Sequence, residues 1–369
     1  MSLGVYRVNM GFVWLRPEGA RMTGERNPAT GPGRTMSTLR TGGAAVLRKI
    51  APALGTLALS VAGCAGAAPP PLPVARVQAA PIPYQVGTSA VTGAAARQGA
   101  ASAADTSCDP TASLRPTGPP RVTPRSYMAK IRARGYLVAG IDPGTYNFGF
   151  FNPSRGQFEG FDIDMLHAIA KAIFGDPSKI EFKSITDAQR ISAVRSGSVD
   201  IVAHTMIITC ARLKSLDFST VYFDTGQRVL VAKNSPAEGI ADLGGRKVCA
   251  TKGSISLANV AVAPSHPIPV AAPYWTDCLA LLQQGHVAAI STDAAILMGL
   301  TAQDPETKLV GPQFTSDPYG LASSKRHPDF VRFVNAVLAQ MQADGQWAAS
   351  YAHWIGTPAP APPTARYQP

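Results

Sequence analysis

Two carboxylates, Asp162 and Asp164, stand two residues apart at the start of GFDIDMLHAIAKAI (160–173). Closely spaced carboxylates can serve acid–base catalysis or bind a metal ion. Apolar residues then recur every three to four positions, which predicts a helix. Across a helix start, side chains two residues apart point in different directions, which disfavours both a paired acid–base site and a metal site. We therefore predict that Asp162 caps the helix and that Asp164 stabilises its positive end.

Nucleophilic and phosphate-binding chemistry also lacks support in the sequence. His204 belongs to no recognisable Ser/His/Asp or Cys/His arrangement. The turn TKGSISL (251–257) lacks the Walker spacing of a phosphate loop, but its N–H groups and the Ser254 hydroxyl, at a helix start, suit a small anion. The cysteine and histidine spacing is not that of a zinc site. We therefore predict that the protein holds no metal or cofactor and is not an enzyme.

Alternating strands and helices must position the binding residues. The apolar run at 137–141 predicts a first strand, and further strands are expected at KIEFKSI, VDIVAHT, RKVCAT and VAAIST. Helices are expected at AQRISAVRSG, GSISLANVAV, CLALLQQG and DAAILMGLTAQD. This order predicts an α/β fold with largely parallel sheets. Ligands bind beyond the carboxyl ends of such strands, so the turns at Asp142, Thr205, Lys252 and Asp293 are candidate binding positions.

The front of the chain has the layout of a secretory signal. Arg48 and Lys49 precede an apolar stretch from Ile50 to Gly63, and Cys64 follows at once. The stretch is too short to cross a bilayer as a stable helix. The cysteine resembles the lipidation site of a bacterial lipoprotein, although a plain signal peptide with an incidental cysteine remains the alternative. We predict residues 1–63 to be a signal peptide with an N-terminal extension.

Composition separates a tether from a folded region. The chain is 46% hydrophobic and carries a net charge of +11. Its basic residues are scattered and form no aromatic-interleaved motif, so we exclude nucleic acid as a partner. Residues 64–125 are rich in Ala, Pro, Gly, Ser and Thr, which predicts a tether rather than a packed domain. Four cysteines remain besides Cys64, so an exported protein could form two disulfides in any of three pairings.

Five separated segments resemble one protein family. GFDIDMLHAIAKAI matches the signature of the family-3 bacterial solute-binding proteins, and ITCARLKSLDFS, DCLALLQQG, STDAAILMGL and YGLASS resemble that family in the same order. The resemblance is strongest toward actinobacterial glutamate/glutamine-binding lipoproteins. It implies a two-lobed, type II periplasmic-binding-protein-like fold. The implied division is lobe 1 at 126–228 and 318–356, lobe 2 at 229–317, hinge strands in TGQRVL (225–230) and TSDPYG (315–320), and a flexible tail at 357–369.

The resemblance also implies a function. We expect a monomeric receptor, lipid-anchored on the extracytoplasmic face of the cell membrane, that binds a free polar amino acid and passes it to an ABC permease. An acidic ligand, glutamate or aspartate, is favoured over glutamine or asparagine. An amino-acid sensor that signals through a membrane protein is an open alternative, because no docking motif is readable. A dehydratase-type enzyme on the same fold is disfavoured, because no suitably placed acid is identifiable, and a purely structural lipoprotein would need no convergent binding residues.

Ligand contacts follow from matching positions. By resemblance, Arg212 clamps the α-carboxylate, with help from Thr205 and backbone near Ile207. Asp293 pairs with the ammonium group or caps the next helix, and Asp142 is a second acidic candidate. The remaining expected contacts are Arg190 for the ligand side chain, the anion turn with Lys252, Gly253 and Ser254, and the walls Trp275 and Tyr146, which could equally be core. Because Cys249 and Cys278 both lie in lobe 2, and Cys108 could join the end of the tether to Cys210, we predict disulfides Cys249–Cys278 and Cys108–Cys210.

Overall fold

The computed structural model describes residues Ser89–Ala90 and 107–368. The predicted signal peptide, the lipidation site Cys64 and most of the predicted tether lie outside the described residues. Within the described part, none of the helices combines the length and apolarity needed to cross a membrane.

Eighteen short strands and nine α-helices make up the described chain. The strands are β1 (Ser89–Ala90), β2 (Ala112–Ser113), β3 (Leu137–Ile141), β4 (Gly144–Thr145), β5 (Gly149–Asn152), β6 (Gln157–Glu159), β7 (Ile180–Ser184), β8 (Ile201–Val202), β9 (Leu216–Phe218), β10 (Phe223–Thr225), β11 (Gln227–Ala232), β12 (Lys247–Thr251), β13 (Ile268–Ala272), β14 (Ala289–Asp293), β15 (Thr307–Val310), β16 (Asp317–Tyr319), β17 (Ala322–Ser324) and β18 (Arg366–Tyr367). The helices are α1 (Tyr127–Arg134), α2 (Phe161–Phe174), α3 (Arg190–Ser196), α4 (Cys210–Leu213), α5 (Ile255–Val262), α6 (Trp275–Gln283), α7 (Ala294–Gln303), α8 (Pro328–Ala343) and α9 (Gln346–Trp354). Two 3₁₀ turns cover Asp187–Gln189 and Ile240–Leu243.

Lobe 1 is built on the sheet β7-β3-β8-β17-β9. Strands β7, β3 and β8 are parallel, and β17 runs antiparallel to both of its neighbours. All five residues of β3 are buried, as expected for a parallel strand covered on both faces. Helix α2 buries one apolar face in the lobe 1 core, including Phe161, Ile169 and Ile173, and each such side chain contributes roughly 1.5–3 kcal/mol of burial free energy.

Lobe 2 repeats the same arrangement. Its sheet has the order β1-β13-β12-β14-β11-β15, with β13, β12 and β14 parallel and β11 antiparallel to β14 and β15. In both lobes three parallel strands are followed by an antiparallel strand that enters from the other lobe and then by a fifth strand, and lobe 2 has the additional edge strand β1. The two sheets therefore have equivalent topologies, and their parallel strands direct the following loops toward the same cleft.

Two crossing segments join the lobes. Strand β10 pairs antiparallel with β16, with Phe223 opposite Tyr319 and Thr225 opposite Asp317. Both strands overlap or adjoin the segments predicted as hinges. The crossings approach closely at Gly226, where an added Cβ would lie only 2.3 Å from the Thr315 carbonyl oxygen. A side chain at this position would therefore force the two crossings apart.

Parts of the predicted tether and of the predicted tail form strands that pair with other strands of the described chain. Strand β18 pairs in parallel with β2, and the Ser113 hydroxyl donates to the Phe218 carbonyl over 2.6 Å. The buried Asn335 side chain donates to Ser113 Oγ and accepts from the Thr220 N–H. Strand β1, also within the predicted tether, pairs with β13 at the edge of the lobe 2 sheet. Backbone pairing and buried polar contacts thus attach segments whose composition alone predicts no fixed structure.

Two disulfides lie within the part of the chain that the structure describes. They join Cys108 to Cys210 and Cys249 to Cys278, the pairing predicted from the sequence. The first attaches residue 108 to the start of α4 in lobe 1, and the second joins β12 to α6 in lobe 2.

The capping prediction for Asp162 is wrong. Helix α2 begins at Phe161, and its N-cap residue is Gly160, which has no side chain to cap the helix. Asp162 is buried one residue further into the helix, where its two oxygens accept hydrogen bonds from the Thr205 N–H (2.9 Å) and the Tyr222 hydroxyl (2.5 Å). Asp164 does lie in the first turn, and it also accepts from residues of α9. The two carboxylates therefore hold different elements and do not form a paired site.

Candidate functional site

A small cavity lies between the lobes. Its volume is about 10 Å³, which is the space of about one water molecule. A ligand of amino-acid size therefore requires the lobes to open. Lobe 1 contributes Asp187, Arg190, Thr205, Ile207 and Arg212, and lobe 2 contributes Ser254, Ile255, Ser256, Trp275, Thr292, Asp293 and Ile296.

Arg212 brings a buried positive charge from lobe 1. It lies in the short helix α4, where the Thr209 hydroxyl accepts a capping bond from the Arg212 N–H. Its Nη1 donates to the Ile207 carbonyl (2.5 Å), and its Nη2 reaches across to the Gly253 carbonyl of lobe 2 (3.4 Å). Burial lowers the pKa of Arg212 to about 9, so the guanidinium is charged at neutral pH and suited to a carboxylate.

Asp293 brings a buried carboxyl group from the end of β14. It occupies the N-cap position of α7 but makes no side-chain capping bond, so the alternative capping role is wrong. The Tyr319 hydroxyl donates to Oδ2, while Oδ1 has no hydrogen-bond donor among the described residues. Burial raises the pKa of Asp293 well above its ordinary range, and the adjacent carboxyl of Asp317 raises it further. A cation in the cavity would satisfy this oxygen and favour the ionised form.

Arg190 lines the cavity but already has an anionic partner. Its Nη1 lies 2.6 Å from Asp187 Oδ1, and both side chains are almost completely buried. Nη1 also donates to the His204 carbonyl (3.0 Å), and Nε donates to the Asp187 carbonyl (3.2 Å). From lobe 2, the Thr251 hydroxyl donates to the other oxygen of Asp187. Arg190, the residue expected to contact the ligand side chain, is therefore part of an ion pair with Asp187 and is not an isolated positive charge.

Thr205 and Ile207 line the lobe 1 side of the cavity. Thr205 has a φ of 44°, an uncommon conformation for a β-branched residue, and the carboxylate of Asp162 accepts from its N–H. Ile207 supplies a carbonyl to Arg212 and its side chain to the wall. A buried carboxylate behind the cavity thus fixes a backbone turn at its surface.

Ser254 and Trp275 line the lobe 2 side. The Ser254 hydroxyl accepts a capping bond from the Leu257 N–H (3.0 Å), so it begins helix α5 as the anion-turn prediction requires. Trp275 is buried in the lobe 2 core as well as lining the cavity. Both residues therefore combine a structural contact with a place at the site.

Four predicted contacts lie away from the cavity lining. Lys252 is exposed, and Gly253 contributes its carbonyl to Arg212. The Asp142 carboxylate accepts from the Gly144 N–H and the Thr145 hydroxyl, both at 2.8 Å, and burial raises its pKa. Asp142 thus closes a turn. The Tyr146 ring is 37% exposed and is absent from the wall of the closed cavity.

The sequence analysis missed five lining residues. They are Asp187, Ile255, Ser256, Thr292 and Ile296. Asp187 stands three residues before Arg190, a spacing that can join charges on a helical turn. Thr292 and Ser256 neighbour predicted contacts and hydrogen bond to each other over 3.0 Å. A search one turn either side of each predicted contact would have found all five.

Known proteins resemble this chain over its folded part. The glutamine-binding protein GlnH of an ABC transporter in Bacillus subtilis is 38% identical over 229 residues, which are 62% of this chain and 84% of that protein. The glutamate-binding protein GluB of Corynebacterium glutamicum is 31% identical, over 57% of this chain and 78% of that protein. These are names of binding proteins, not of enzymes.

Solved structures show the same architecture. An ancestral arginine-binding protein bound to glutamine superposes with a TM-score of 0.57 at 34% identity, covering 60% of this chain and 99% of that one. A variant of the arginine-binding protein of T. maritima superposes with a TM-score of 0.58 at 27% identity, covering 62% and 98%. Together with the equivalent strand orders of the two lobes, these likenesses confirm the predicted two-lobed type II fold.

The family identification rests on a match to most of the folded region. The model of the bacterial extracellular solute-binding proteins, family 3, matches residues 137–357. That range contains most of both lobes, both crossing segments and every residue that lines the cavity. The chain belongs to the bacterial extracellular solute-binding proteins of family 3.

Proposed function

We propose that this protein is an extracytoplasmic receptor that captures a free α-amino acid between its lobes and delivers it to an ABC importer. One observation supports this most strongly. A buried guanidinium from lobe 1 and a buried carboxyl oxygen from lobe 2, to which none of the described residues donates a hydrogen bond, line the same cavity. An α-amino acid carries the two complementary charges on adjacent carbon positions, so it can join the two lobes.

Each end of the amino acid has a chemically matched partner. The α-carboxylate would bind Arg212, whose planar guanidinium suits two carboxylate oxygens. The ammonium group would pair with Asp293 and offset the unfavourable burial of that carboxylate. Both partners are more than nine-tenths buried, so the pairs would form away from water, where charge complementarity selects most strongly.

The charges that remain indicate a neutral side chain on the ligand. After Arg212 and Asp293 have paired with the ligand, Arg190 and Asp187 remain in the lining as an ion pair of zero net charge. A side-chain carboxylate would meet Arg190 but also the negative charge of Asp187. A side-chain amide carries both a donor and an acceptor and can bind both. We therefore propose glutamine as the preferred ligand, which replaces the acidic preference expected from Arg190 alone.

Glutamate is the second candidate. It is favoured by Arg190 itself and by the likeness to the glutamate-binding protein. The likeness to the glutamine-binding protein supports the first candidate. Delivery to an importer is proposed from the transporter role in that relative's name, and signalling through a membrane protein is the alternative use of the same site. Lipid attachment at Cys64 is proposed from the sequence pattern alone.

Calorimetric titration tests the ligand. The full chain is unfolded, washed free of bound amino acids, refolded with its disulfides formed, and titrated with glutamine, asparagine, glutamate, aspartate and arginine. We expect glutamine to bind most tightly. Asp187→Asn removes the negative charge of the ion pair and should shift the preference toward glutamate, while the exposed Lys252→Ala serves as a control without effect.

Different outcomes test the ligand preference, the role of Arg212 and the receptor function separately. Tighter binding of glutamate than glutamine by the unaltered protein would refute the charge-balance argument and keep the receptor. Loss of all binding in Arg212→Ala is required for the carboxylate assignment. If no amino acid produced heat or raised the melting temperature, the receptor proposal itself would be wrong.

A further inference from the structure

The lobes meet closely beside the cavity, at a glycine in helix α7. Gly299 is buried within this lobe 2 helix. A Cβ added there would lie 2.6 Å from the carbonyl oxygen of Tyr146, which belongs to the turn between β4 and β5 in lobe 1. Nearby, a Cβ added at Gly144 would lie 3.3 Å from the Thr276 side chain of α6. This side of the cleft is therefore a direct backbone contact between the lobes.

Helix stability does not account for a glycine at this position. A helix-interior glycine is about 0.8–1 kcal/mol less favourable than alanine. Gly299 also needs no unusual backbone conformation, because it lies inside regular helix, five residues from the start of α7 at Ala294. What the position requires is the absence of a side chain facing Tyr146.

The same helix carries part of the ligand site. Ile296 lines the cavity one turn before Gly299, and Asp293 lines it immediately before the helix. Arg212 lines the opposite wall from lobe 1. The separation of Arg212 and Asp293 therefore depends on how closely α7 approaches the β4–β5 turn.

We infer that Gly299 is a positioning residue for ligand binding, because it sets how far the lobes close. This inference rests on the proposed function. With a methyl group at 299, the Tyr146 carbonyl would have to retreat by about 0.8 Å to reach an ordinary contact distance of 3.4 Å. The retreat would separate the two charged partners of the amino acid. Overpacking of this kind corresponds to roughly a 10- to 100-fold loss of affinity.

A second glycine makes a similar contact but gives a less direct test. A Cβ at Gly253 would lie 2.7 Å from Ala188 Cα of lobe 1. However, Gly253 has a φ of +88°, and its carbonyl accepts from Arg212. A substitution there would alter the backbone and the site as well as closure, so Gly299 is the position to change.

The experiment compares Gly299→Ala and Gly299→Val with the exposed control Ala302→Gly in the same helix. Each full chain is refolded, checked by its melting temperature, and titrated with glutamine and glutamate. We expect Gly299→Ala to melt no lower than the unaltered protein without ligand, because alanine favours helix. It should nevertheless lose at least tenfold in affinity, mainly through faster dissociation, and Gly299→Val should lose more. Ala302→Gly should lower the melting temperature and keep the affinity.

Two results would overturn the inference. One is a loss of less than tenfold in a folded Gly299→Ala protein. The other is an equal loss in Ala302→Gly, which would assign the effect to helix stability rather than to closure. If the unaltered protein bound no amino acid, the proposed function would fail and this inference with it, and that failure would already be visible before any variant was made.

Discussion

Replacing Asp162 by alanine tests whether a buried carboxylate supports the ligand site from behind. The change leaves two buried donors, the Thr205 N–H and the Tyr222 hydroxyl, without their acceptor. Each unsatisfied buried donor costs roughly 1–3 kcal/mol. Burial raises the pKa of Asp162, so removing the carboxylate also relieves part of its own desolvation cost. We expect a net loss of about 2–4 kcal/mol in the free energy of unfolding.

The same change should weaken ligand binding. Thr205 lines the cavity at a φ of 44°, and a strained backbone conformation of this kind costs about 1–3 kcal/mol unless its surroundings hold it. Without the Asp162 acceptor, the turn can relax away from the geometry that the ligand needs. An energy of this size corresponds to roughly a tenfold loss of affinity.

Equilibrium unfolding in urea, followed by tryptophan fluorescence, measures the stability loss at a constant m-value, and calorimetry measures the affinity. Asp162→Asn is the matched control. It keeps the side-chain shape and one acceptor oxygen, so it should lose less than half as much stability. A loss of about 1 kcal/mol or less in Asp162→Ala, with unchanged affinity, is the size expected of a helix cap and would refute the supporting role.

Two further perturbations follow from buried polar groups. Burial raises the pKa of Asp293, so above pH ~4 the folded protein holds a proton that the unfolded chain has lost. Its contribution to stability therefore decreases as pH rises through the raised pKa. An ammonium ligand must displace that proton, so affinity should increase with pH across the same window. Titrations in two buffers of different ionisation enthalpy should detect proton release, and no release would contradict the assignment. In lobe 1, Asn335→Ala removes the contacts to Ser113 and Thr220, and we expect urea unfolding to show a loss of about 2–4 kcal/mol in the free energy of unfolding. The control Gln340→Ala, at an exposed position of the same helix, should leave this free energy unchanged. An equal effect of the two substitutions would show that Asn335 does not stabilise the attachment of Ser113.

The fold could be predicted because its strands and helices carry strong local patterns. Strand β3 is an uninterrupted apolar run because both faces of the parallel sheet are covered. Helix α2 shows a three- and four-residue period because one face is buried. Such patterns depend on burial alone, so they are readable without knowing which elements touch.

Contacts between distant residues could not be predicted in the same way. The local sequence pattern predicts that Asp162 caps a helix, but its hydrogen-bond partners, Thr205 and Tyr222, lie 43 and 60 residues further along the chain. The composition of residues 64–125 and 357–369 indicates no core, yet β18 pairs with β2 because each supplies backbone groups to the other. Neither arrangement has a period or a motif.

The ligand preference shows why a single charged residue is an unreliable guide to specificity. Arg190 in the sequence is one positive charge, and an acidic ligand follows from it directly. In the structure its charge is balanced by Asp187, which also accepts from Thr251 of the opposite lobe. That last hydrogen bond can form only when the lobes are together. Under the proposed function, closure therefore completes the polar environment of the ion pair at the moment when the ligand side chain must fit it. A side-chain carboxylate would have to compete with Asp187 for Arg190 at this step, whereas an amide would satisfy both groups, so selection of the side chain and closure of the lobes would be one event.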